Sequence, residues 1–432
     1  MSICGLDFGT SNSTVGVVHQ QQPLMVPLEL NSQSGEFETT LPSALFFDFE
    51  TDDIHFGREA IELYSRGEFG RLMRSMKSIL GSKNMDEGTQ IKHKRYAFND
   101  IIGFFMASLK QRAEAFNQQS LESVVLGRPV HFNDHHPELD LAAQNRMADI
   151  AHSVGFKQVS FQYEPIAAAY DYEQQVDKEE LALIIDIGGG TSDFTLIKLS
   201  KQNRLKAQRD DDLLANHGIH IGGTDFDRHL SMATVMPHFG LNSYYIDKPT
   251  LKMPRHYYVD LATWHRIHLL YDANVLRDIA ELARESQDKQ AMLRLAQLLK
   301  NKQGHKLAAS VEQAKIDLSH QETTSIDLSY LVNLEVHDNS EELLLNKASQ
   351  LDLANAIEAD VNKVFAAIDD TLTQAGLQGS QIDTLFTTGG STALPSVKKL
   401  ISKKFSQAKW ISGDLFNSVG KGLLLDAQRR YL

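Results

Sequence analysis

The alternation of apolar and polar positions is similar in two separated parts of the chain. Apolar runs at Ile3–Leu6 and Leu181–Ile185 each lead into a polar, glycine-containing turn, and a β-branched run follows at 14–18 and at 195–197. Short apolar runs bounded by glycine turns are typical of buried strands. Each part is therefore predicted to form a strand, a tight turn and a second strand, and the repetition indicates two related half-domains.

Segments with helical periodicity separate the predicted strands. Residues 1–37 are predicted to form a β-meander, whereas 39–100 shows an extended stretch and then helical pieces without a clear period. Helices are predicted from their apolar spacing and their end signals. They cover 100–119, 139–154, 166–172, most of 230–302, 311–318, 351–375, 395–404 and the stretch from 419 onward, and further strands cover 123–126, 323–331 and 382–386. Strands that alternate with helices indicate an α/β fold.

Composition restricts the classes of function. The chain has 432 residues, so we expect two or more lobes with separate cores. Its net charge of −13 argues against non-specific binding to nucleic acid or to an anionic membrane. Cys4 is the single cysteine, which excludes an intramolecular disulfide and favours a reducing compartment. No apolar run reaches transmembrane length and the N-terminus has no basic leader, so we expect a cytoplasmic protein.

The two turns carry the residue types that bind phosphate and a divalent cation. The first reads Asp7-Phe8-Gly9-Thr10-Ser11-Asn12, and the second reads Asp186-Ile187-Gly188-Gly189-Gly190-Thr191-Ser192-Asp193. Glycine allows a positive φ and lets backbone N–H groups approach a phosphate closely. An aspartate at the end of a buried strand suits a cation such as hydrated Mg²⁺. One such turn is common, but two suggest half-domains that hold one nucleotide between them.

Several segments resemble known motifs and follow one another in the order found in those proteins. Three resemble the two phosphate motifs and the adenosine motif of the actin, hexokinase and Hsp70 superfamily: 7–13, 186–193 and 388–391. Four more resemble the Hsp70 nucleotide-binding domain specifically: 125–134, 164–170, 222–227 and 312–319. The chain thus resembles that domain over nearly its whole length. Its sequence at 127–129 and 161–165 is most similar to that of the YegD-like branch of Hsp70 relatives.

The resemblance implies an actin-like ATPase fold of the α/β class. Two lobes, each with a ribonuclease H-like mixed sheet of five strands and a smaller subdomain, would enclose a nucleotide cleft. Lobe I is expected over 1–180, with 408–432 returning to it and 39–99 as its small subdomain. Lobe II is expected over 181–407, with 224–347 as its small subdomain, which includes an extra helical insertion.

The resemblance also assigns the cofactors and the residues that would hold them. ATP or ADP is expected with Mg²⁺, and K⁺ is a further candidate cation. Asp7 and Asp186 would face each other across the cleft and hold Mg²⁺ through its water ligands. The nucleotide would be contacted by residues from both lobes: Gly9, Thr10, Ser11, Asn12, Gly188, Gly189, Gly190, Gly222, Gly223, Glu312, Lys315, Ser319, Gly389, Gly390 and Ser391.

Four further residues are assigned to ATP hydrolysis by the same resemblance. Lys77 would supply positive charge at the γ-phosphate as negative charge develops, and Thr191 would add a hydroxyl. Glu164 and Asp193 would orient the attacking water or accept its proton. Lys77 also lies in an Arg- and Lys-rich stretch, so an exposed position at a helix end is the alternative for it. Helix capping and a plain turn are the alternatives for Glu164 and Asp193.

Three functional hypotheses remain open at this point. The first is an Hsp70-like, Mg²⁺-dependent ATPase that hydrolyses ATP slowly and acts as a chaperone-related switch, with a protein client or co-chaperone as partner. The second is an actin-like, filament-forming ATPase. The third and least favoured is a small-molecule kinase of the sugar type, because we find no sugar-binding signature. The chain ends after a predicted helix, so we expect no peptide-binding domain.

Overall fold

The structure is a computed structural model that describes residues 2–31, 35–82, 85, 87–133, 136–170, 172–203, 206, 209–328, 346–411 and 415–432. The strands within these residues are Ile3–Phe8 (β1), Asn12–His19 (β2), Gln22–Met25 (β3), Glu29–Leu30 (β4), Phe37–Glu38 (β5), Thr40–Pro42 (β6), Ala44–Asp48 (β7), Ile54–Phe56 (β8), Gly70–Arg74 (β9), Gly88–Ile91 (β10), Lys94–Ala97 (β11), Ser123–Arg128 (β12), Gln158–Tyr163 (β13), Glu180–Ile187 (β14), Ser192–Leu199 (β15), Leu213–Ile219 (β16), Thr323–Ser325 (β17), Lys347–Ser349 (β18), Thr384–Thr388 (β19) and Lys409–Ile411 (β20).

The helices of the described residues lie between these strands and after them. They are Gly57–Ser65 (α1), Phe98–Asn117 (α2), Pro137–Ser153 (α3), Glu164–Ala169 (α4), Gly223–Leu230 (α5), His256–Leu261 (α6), Ala273–Glu285 (α7), Lys289–Lys300 (α8), Gly304–Asp317 (α9), Gln350–Gln374 (α10), Pro395–Lys404 (α11) and Leu415–Tyr431 (α12). Met76–Ile79 and Trp264–Tyr271 form 3₁₀ helices. Across the described residues, none of the helices combines the length and the apolar character needed to span a bilayer.

The first sheet is built around the first predicted turn. Its strands lie in the order β13-β12-β1-β2-β3, and β6 pairs with the beginning of β2 as an additional strand. β1, β2 and β3 are antiparallel neighbours, whereas β12 and β13 run parallel to β1. Parallel strands need a crossover, and α2 and α3 supply it before β12 and β13. Pro23 lies in the edge strand β3, where its missing N–H breaks no inner ladder.

The second sheet repeats this topology. Its strands lie in the order β16-β15-β14-β19-β20, with β14, β15 and β16 antiparallel and β19 and β20 parallel to β14. Each sheet therefore adds a third antiparallel strand on one side of its strand-turn-strand unit and two parallel strands on the other. The mixed α/β class and the duplication predicted from the hydrophobic pattern are both confirmed. The first sheet differs from the expected five strands only by the addition of β6.

The last helix returns to the first sheet. α12 packs on β1, β12 and α4, and one buried apolar cluster joins these elements: Ile3, Val125, Ala167, Leu423 and Ala427. Before this return, β20 pairs in parallel with β19. Residues 409–411 therefore complete the second sheet, and the return that we expected from 408 begins only after Ile411.

The stretch 39–100 contains more strands than the sequence pattern indicated. β7, β8 and β9 form a three-stranded sheet, α1 packs on it, and β10 and β11 form a hairpin. Arg71 and Arg74 lie in β9, so the helix end that we considered before Lys77 is wrong. β9 leads into the 3₁₀ helix Met76–Ile79 instead. Its pairing with β7 joins separate parts of the sequence, so local periodicity does not reveal it.

The structure confirms the helices predicted at 351–375 and 100–119 to within two residues at each end. α10 begins with a capping box in which the Ser349 Oγ accepts from the Asp352 N–H, and Gly376 follows its end with φ 65°. α2 begins at Phe98 and has Ala97 at its N-cap, so it starts two residues before the predicted start at 100. The predicted strand at 323–331 is confirmed as β17 over its first three residues, and 329–331 lies outside the described residues.

Candidate functional site

The two predicted turns occupy equivalent places in the two sheets. Asp7 lies one residue before the end of β1, opposite Thr14 on β2. Asp186 lies one residue before the end of β14, opposite Asp193 on β15. Directly opposed residues of an antiparallel pair are close neighbours on one face of the sheet. The register therefore places the Asp186 and Asp193 carboxylates side by side, where the first sheet has an aspartate and a threonine.

Ser43 holds the first turn in place, and it was not among the predicted site residues. Its hydroxyl donates to the Gly9 carbonyl at 2.6 Å, and its N–H donates to the Ser11 carbonyl at 2.8 Å. In a trans peptide the N–H points away from the carbonyl of the same unit, so the Thr10 and Asn12 N–H groups point away from Ser43. The turn thus presents backbone donors on the side opposite its support.

The start of α5 holds the second turn in the same manner. The Gly223 N–H donates to the Gly188 carbonyl at 2.8 Å, and the Thr224 N–H donates to the Gly189 carbonyl at 2.7 Å. The N–H groups of Gly189 and Gly190 consequently point away from α5. Both turns therefore use two of their carbonyls for support and leave the N–H group that follows each carbonyl on the opposite side.

The two turns lie against each other. A Cβ atom added to Gly189 would lie 2.5 Å from the Ser11 Oγ atom, so no larger residue fits here without a shift. A Cβ atom added to Gly190 would meet no atom within 4 Å, so this residue borders open space. The fold thus brings the two predicted turns together from distant parts of the sequence.

Lys77 is buried and paired with a carboxylate. Its Nζ donates to the Glu164 Oε1 at 2.5 Å, and its side chain is only 8% exposed. The alternative of an exposed lysine at a helix end is therefore wrong. Gly127 leaves room for the pair, because a Cβ atom there would lie 3.2 Å from the Glu164 Cγ and 3.3 Å from the Asp7 Oδ1. The ion pair consequently lies beside Asp7.

Ionisable side chains from both halves of the chain shift one another's pKa values beside the two turns. Burial raises the pKa of Asp186 to about 8, and the charges of Asp193, Glu164 and Asp7 add to the increase while Lys77 opposes it. Burial also raises the pKa of Asp7 to about 7, with Glu164 adding and Lys77 opposing. Burial lowers the pKa of Lys77, but attraction to the carboxylates outweighs it, so that pKa is raised and the amine stays charged.

The carboxylate cluster fits a hydrated divalent cation. Asp7, Glu164 and Asp186 all act on the charge of Lys77, and Asp193 lies beside Asp186. Within the described part of the chain, the buried Asp7 Oδ1 has no hydrogen-bond partner. Among the described residues, no three His, Cys, Asp or Glu side chains are close enough to hold a metal directly. Mg²⁺ usually keeps several waters and takes one or two carboxylates. The donor set therefore suits Mg²⁺ held through water, and this assignment stays a prediction.

A second group of predicted residues meets at the start of α5. The Lys315 Nζ on α9 donates to the Gly223 carbonyl at 3.1 Å and to the Asp227 carboxylate at 2.8 Å. A Cβ atom added to Gly223 would lie 2.9 Å from the Ser391 Oγ. A Cβ atom added to Gly222 would lie 2.6 Å from the Gly189 carbonyl oxygen. The candidate nucleoside contacts thus adjoin the second phosphate turn.

Gly389 connects this group to the carboxylate cluster. It has φ 79°, and a Cβ atom here would overlap the Ile187 carbonyl and lie 2.9 Å from the Asp186 Oδ1. Only glycine fits such a backbone conformation at such close approach. A Cβ atom on the neighbouring Gly390 would meet nothing within 4 Å, so this residue also borders open space.

Asp227 belongs to the site, although the sequence reasoning named it only as part of a motif. One of its carboxylate oxygens binds Lys315, whereas its Oδ1 is buried without a partner. Burial raises the pKa of Asp227 to about 6, Lys315 opposes the increase, and the nearby Glu312 adds to it. Within the described residues, no hydrogen bond joins the Ser319 side chain, beyond the end of α9, to the other candidates. A buried aspartate beside a predicted lysine contact was the signal that could have identified Asp227.

Comparison with protein families agrees with this arrangement. A model of the Hsp70 protein family matches residues 3–249 and 271–416. The match includes both sheets and every predicted site residue, and it leaves residues 250–270 between its two parts. The two sheets of equal topology form the actin-like ATPase fold that was expected. The chain therefore belongs to the Hsp70 family, whose members are ATP-binding and ATP-hydrolysing proteins of the chaperone type.

Proposed function

We propose that this protein binds Mg²⁺-ATP between its two sheets, hydrolyses it slowly and acts as a chaperone-related nucleotide switch. One observation supports this most directly. The two phosphate turns are in contact at Ser11 and Gly189, and Asp7, Asp186 and the Lys77–Glu164 pair are gathered beside them. Donors for phosphate, acidic groups for a cation and a buried lysine are the parts that phosphoryl transfer needs.

The phosphate chain is held by the backbone of both turns. The N–H groups of Thr10, Asn12, Gly189 and Gly190, which point away from their supports, are the donors that we assign to it. Gly9, Ser11 and Gly188 shape these turns. Asp7 and Asp186 would hold Mg²⁺ through water, and the ion would supply positive charge beside the phosphates.

Hydrolysis is assigned to four side chains beside these turns. The Lys77 amine stays charged and is fixed by Glu164, so it can stabilise the negative charge that develops on the transferred group. Glu164 and Asp193 orient the attacking water or accept its proton. Thr191 donates from its Oγ1 to the Asp193 carboxylate at 3.3 Å and so limits the orientations that this carboxylate can adopt.

The nucleoside is assigned to the second lobe. Lys315 and Ser391 both lie against Gly223, and Glu312 lies near Asp227 on the same side. These contacts would hold the ribose and the base, together with the remaining candidates of this side: Gly222, Ser319, Gly389 and Gly390. Of these four, Ser319 has the weakest support.

The larger organisation is also part of the proposal. Lobe I would comprise 1–180 and the final helix, with 39–99 as its small subdomain, and lobe II would extend from 181 to the end of β20, with 224–347 as its small subdomain. A protein client or co-chaperone would respond to the nucleotide state. The YegD-like branch and a reducing, cytoplasmic location stay predictions, the latter supported by the buried, unpaired Cys4.

ATP turnover measured with and without a chelator tests this function. We expect slow release of phosphate that needs Mg²⁺ and needs no added acceptor. Turnover that rises strongly only when sugars are added would replace the proposal with a kinase. Protein that pellets in the presence of ATP, but not in its absence, would replace it with a filament-forming ATPase.

A further inference from the structure

Tyr64 and His305 join the two halves of the chain through a hydrogen bond. Tyr64 lies on α1, and its hydroxyl is 2.8 Å from the Nδ1 and 2.9 Å from the Nε2 of His305, at the start of α9. The His305 Nε2 lies 3.2 Å from the Trp264 carbonyl oxygen, so this nitrogen carries the proton and donates. The Tyr64 and His305 rings meet edge to face with their centres 4.5 Å apart. Both ring nitrogens of His305 are thereby used.

Arg74 and Trp264 form a second contact between the same two halves. The Arg74 guanidinium, at the end of β9, lies over the Trp264 ring, 4.8 Å from its centre. Such an arrangement is attractive because the face of the ring carries negative charge density. We call Tyr64, Arg74, Trp264 and His305 together the cross-cleft clasp.

The cross-cleft clasp joins two hydrophobic cores that are otherwise separate. Tyr64 packs on the core of the three-stranded sheet in the first half, whereas the core of the second half contains buried residues from 183–405. His305 is only 6% exposed. Burial lowers the pKa of His305 to about 4 and raises the pKa of Tyr64, so both side chains are uncharged at neutral pH. The hydrogen bond between them is therefore present under ordinary conditions.

The cross-cleft clasp lies between the segments that would contact opposite ends of a nucleotide. Arg74 precedes the 3₁₀ turn that carries Lys77, and its charge is close enough to lower the pKa of Asp227. His305 begins α9, whose later turns carry Glu312 and Lys315. The clasp therefore ties the segment before Lys77 to the start of α9.

Trp264 comes from the segment that the family match leaves out. Residues 250–270 contribute α6 and most of the 3₁₀ helix Trp264–Tyr271. Ile267 of this segment is fully buried, and a Cβ atom added to Gly304 would lie 2.6 Å from its Cγ2. The segment is therefore packed into the second lobe at the base of α9. Its Trp264 supplies both an acceptor for His305 and a surface for Arg74.

From these contacts we propose that the cross-cleft clasp closes over the bound nucleotide and sets the rate at which it is released. This inference rests on the proposed nucleotide site, because it describes how that site is closed. The clasp acts on release and not on the chemical step, since none of its four side chains is assigned to the phosphates or to the attacking water.

Two variants and two controls test the clasp. Tyr64→Phe removes the hydroxyl and keeps the ring, and Trp264→Leu removes the surface under Arg74. Tyr96→Phe removes a tyrosine hydroxyl elsewhere in the first half, where the ring packs on Phe104. Trp410→Phe changes the other tryptophan, which packs on the second core. Release of methylanthraniloyl-labelled ADP is measured by stopped flow after a chase with unlabelled ADP, and single-turnover hydrolysis is measured alongside.

We expect each clasp variant to release ADP about fivefold faster or more, which is the effect of losing one interaction of about 1 kcal/mol. Single-turnover hydrolysis of ATP already bound should be unchanged, and both controls should release ADP as the natural protein does. Release at the natural rate in both clasp variants would overturn the inference and leave the proposed function intact. Failure of the natural protein to bind ADP at all would overturn the proposed function and the clasp with it.

Discussion

At the scale of single residues, the site consists of a buried lysine among acidic side chains. Glu164, Asp7 and Asp186 all raise the pKa of Lys77 against the effect of burial. Because the carboxylate partners of Lys77 are fixed before any ligand arrives, little further free energy is needed to hold its charged amine in position. Such preorganised charge is what stabilises a transition state.

The first prediction concerns Lys77. Lys77→Met should leave Mg²⁺-ATP binding nearly unchanged, because the backbone of both turns holds the phosphates, and should slow single-turnover hydrolysis by about 10². Lys110→Met is a matched control, since Lys110 is 11% exposed, against 8% for Lys77, and also pairs with a glutamate, Glu114. If both variants hydrolyse ATP equally well in a quench assay, Lys77 has no part in the reaction.

The second prediction concerns pH. Asp7 and Asp186 have pKa values raised to about 7 and about 8, above those of an unfolded chain, so the folded state holds extra protons. Stability from this source is present at low pH and is lost as the pH rises through these values. The metal-free protein should therefore unfold at lower temperature as the pH rises from about 6 to about 9, and Mg²⁺ should restore stability at the higher pH.

Thermal unfolding of the Asp7→Asn, Asp186→Asn double variant provides the comparison. Its melting temperature should depend less on pH over this interval, because neither amide titrates. A natural protein and a double variant with the same pH dependence would show that the two aspartates do not titrate in this range.

Residue types could be predicted from the sequence better than residue contacts. Asp7, Asp186 and the glycines of the turns were expected together, because each turn is local and carries its own pattern. The Lys77–Glu164 pair joins residues 87 positions apart, and Ser43 reaches the first turn from the bend between β6 and β7. Neither contact can be recognised in a single sequence, because the partners meet only in the folded chain.

At the scale of elements, the repeated sheet determines the geometry of the site. The same strand order in both halves brings the two turns into equivalent positions. In each half, one residue separates the turn from an aspartate on the central strand. This was predictable because short apolar runs bounded by glycine turns are strong local signals. The sheet of β7, β8 and β9 was not predicted, since its short strands are held by long-range pairing and by α1.

The third prediction concerns the turn after β19. Gly389→Ala should destabilise the protein and weaken nucleotide binding, because φ is 79° and the new methyl group would overlap the Ile187 carbonyl. Gly390→Ala changes the next residue, where a methyl group meets nothing within 4 Å, and should be nearly neutral for stability. Equal melting temperatures and equal ADP affinities in the two variants would contradict the close approach described for Gly389.

At the scale of the whole molecule, the chain crosses between its halves and returns. After β20 completes the second sheet, α12 packs on the first sheet. Asp426 of this helix is fully buried, accepts from Gln162 at 3.0 Å and pairs with Arg429 and Arg430. The final helix, which follows the second sheet along the chain, is thereby fixed to the first sheet.

The fourth prediction concerns this connection. Asp426→Ala should lower the free energy of unfolding by about 3 kcal/mol or more, because it leaves buried polar groups without their partner. Asp369→Ala breaks the ion pair with Lys404 at an aspartate that is 59% exposed, so a loss below about 1 kcal/mol is expected. Urea denaturation measures both. A small loss for Asp426→Ala would mean that Asp426 contributes little to fixing α12 on the first sheet.

The central claim is that one nucleotide binds with Mg²⁺ between the two lobes. Isothermal titration calorimetry with ATP and ADP, in Mg²⁺ and in chelator, tests it most directly, with Asp186→Asn measured in parallel. We expect binding of one nucleotide per chain that is stronger in Mg²⁺, and an Asp186→Asn variant whose affinity no longer depends on Mg²⁺. No heat with either nucleotide, or equal affinity with and without Mg²⁺ in the natural protein, would contradict it.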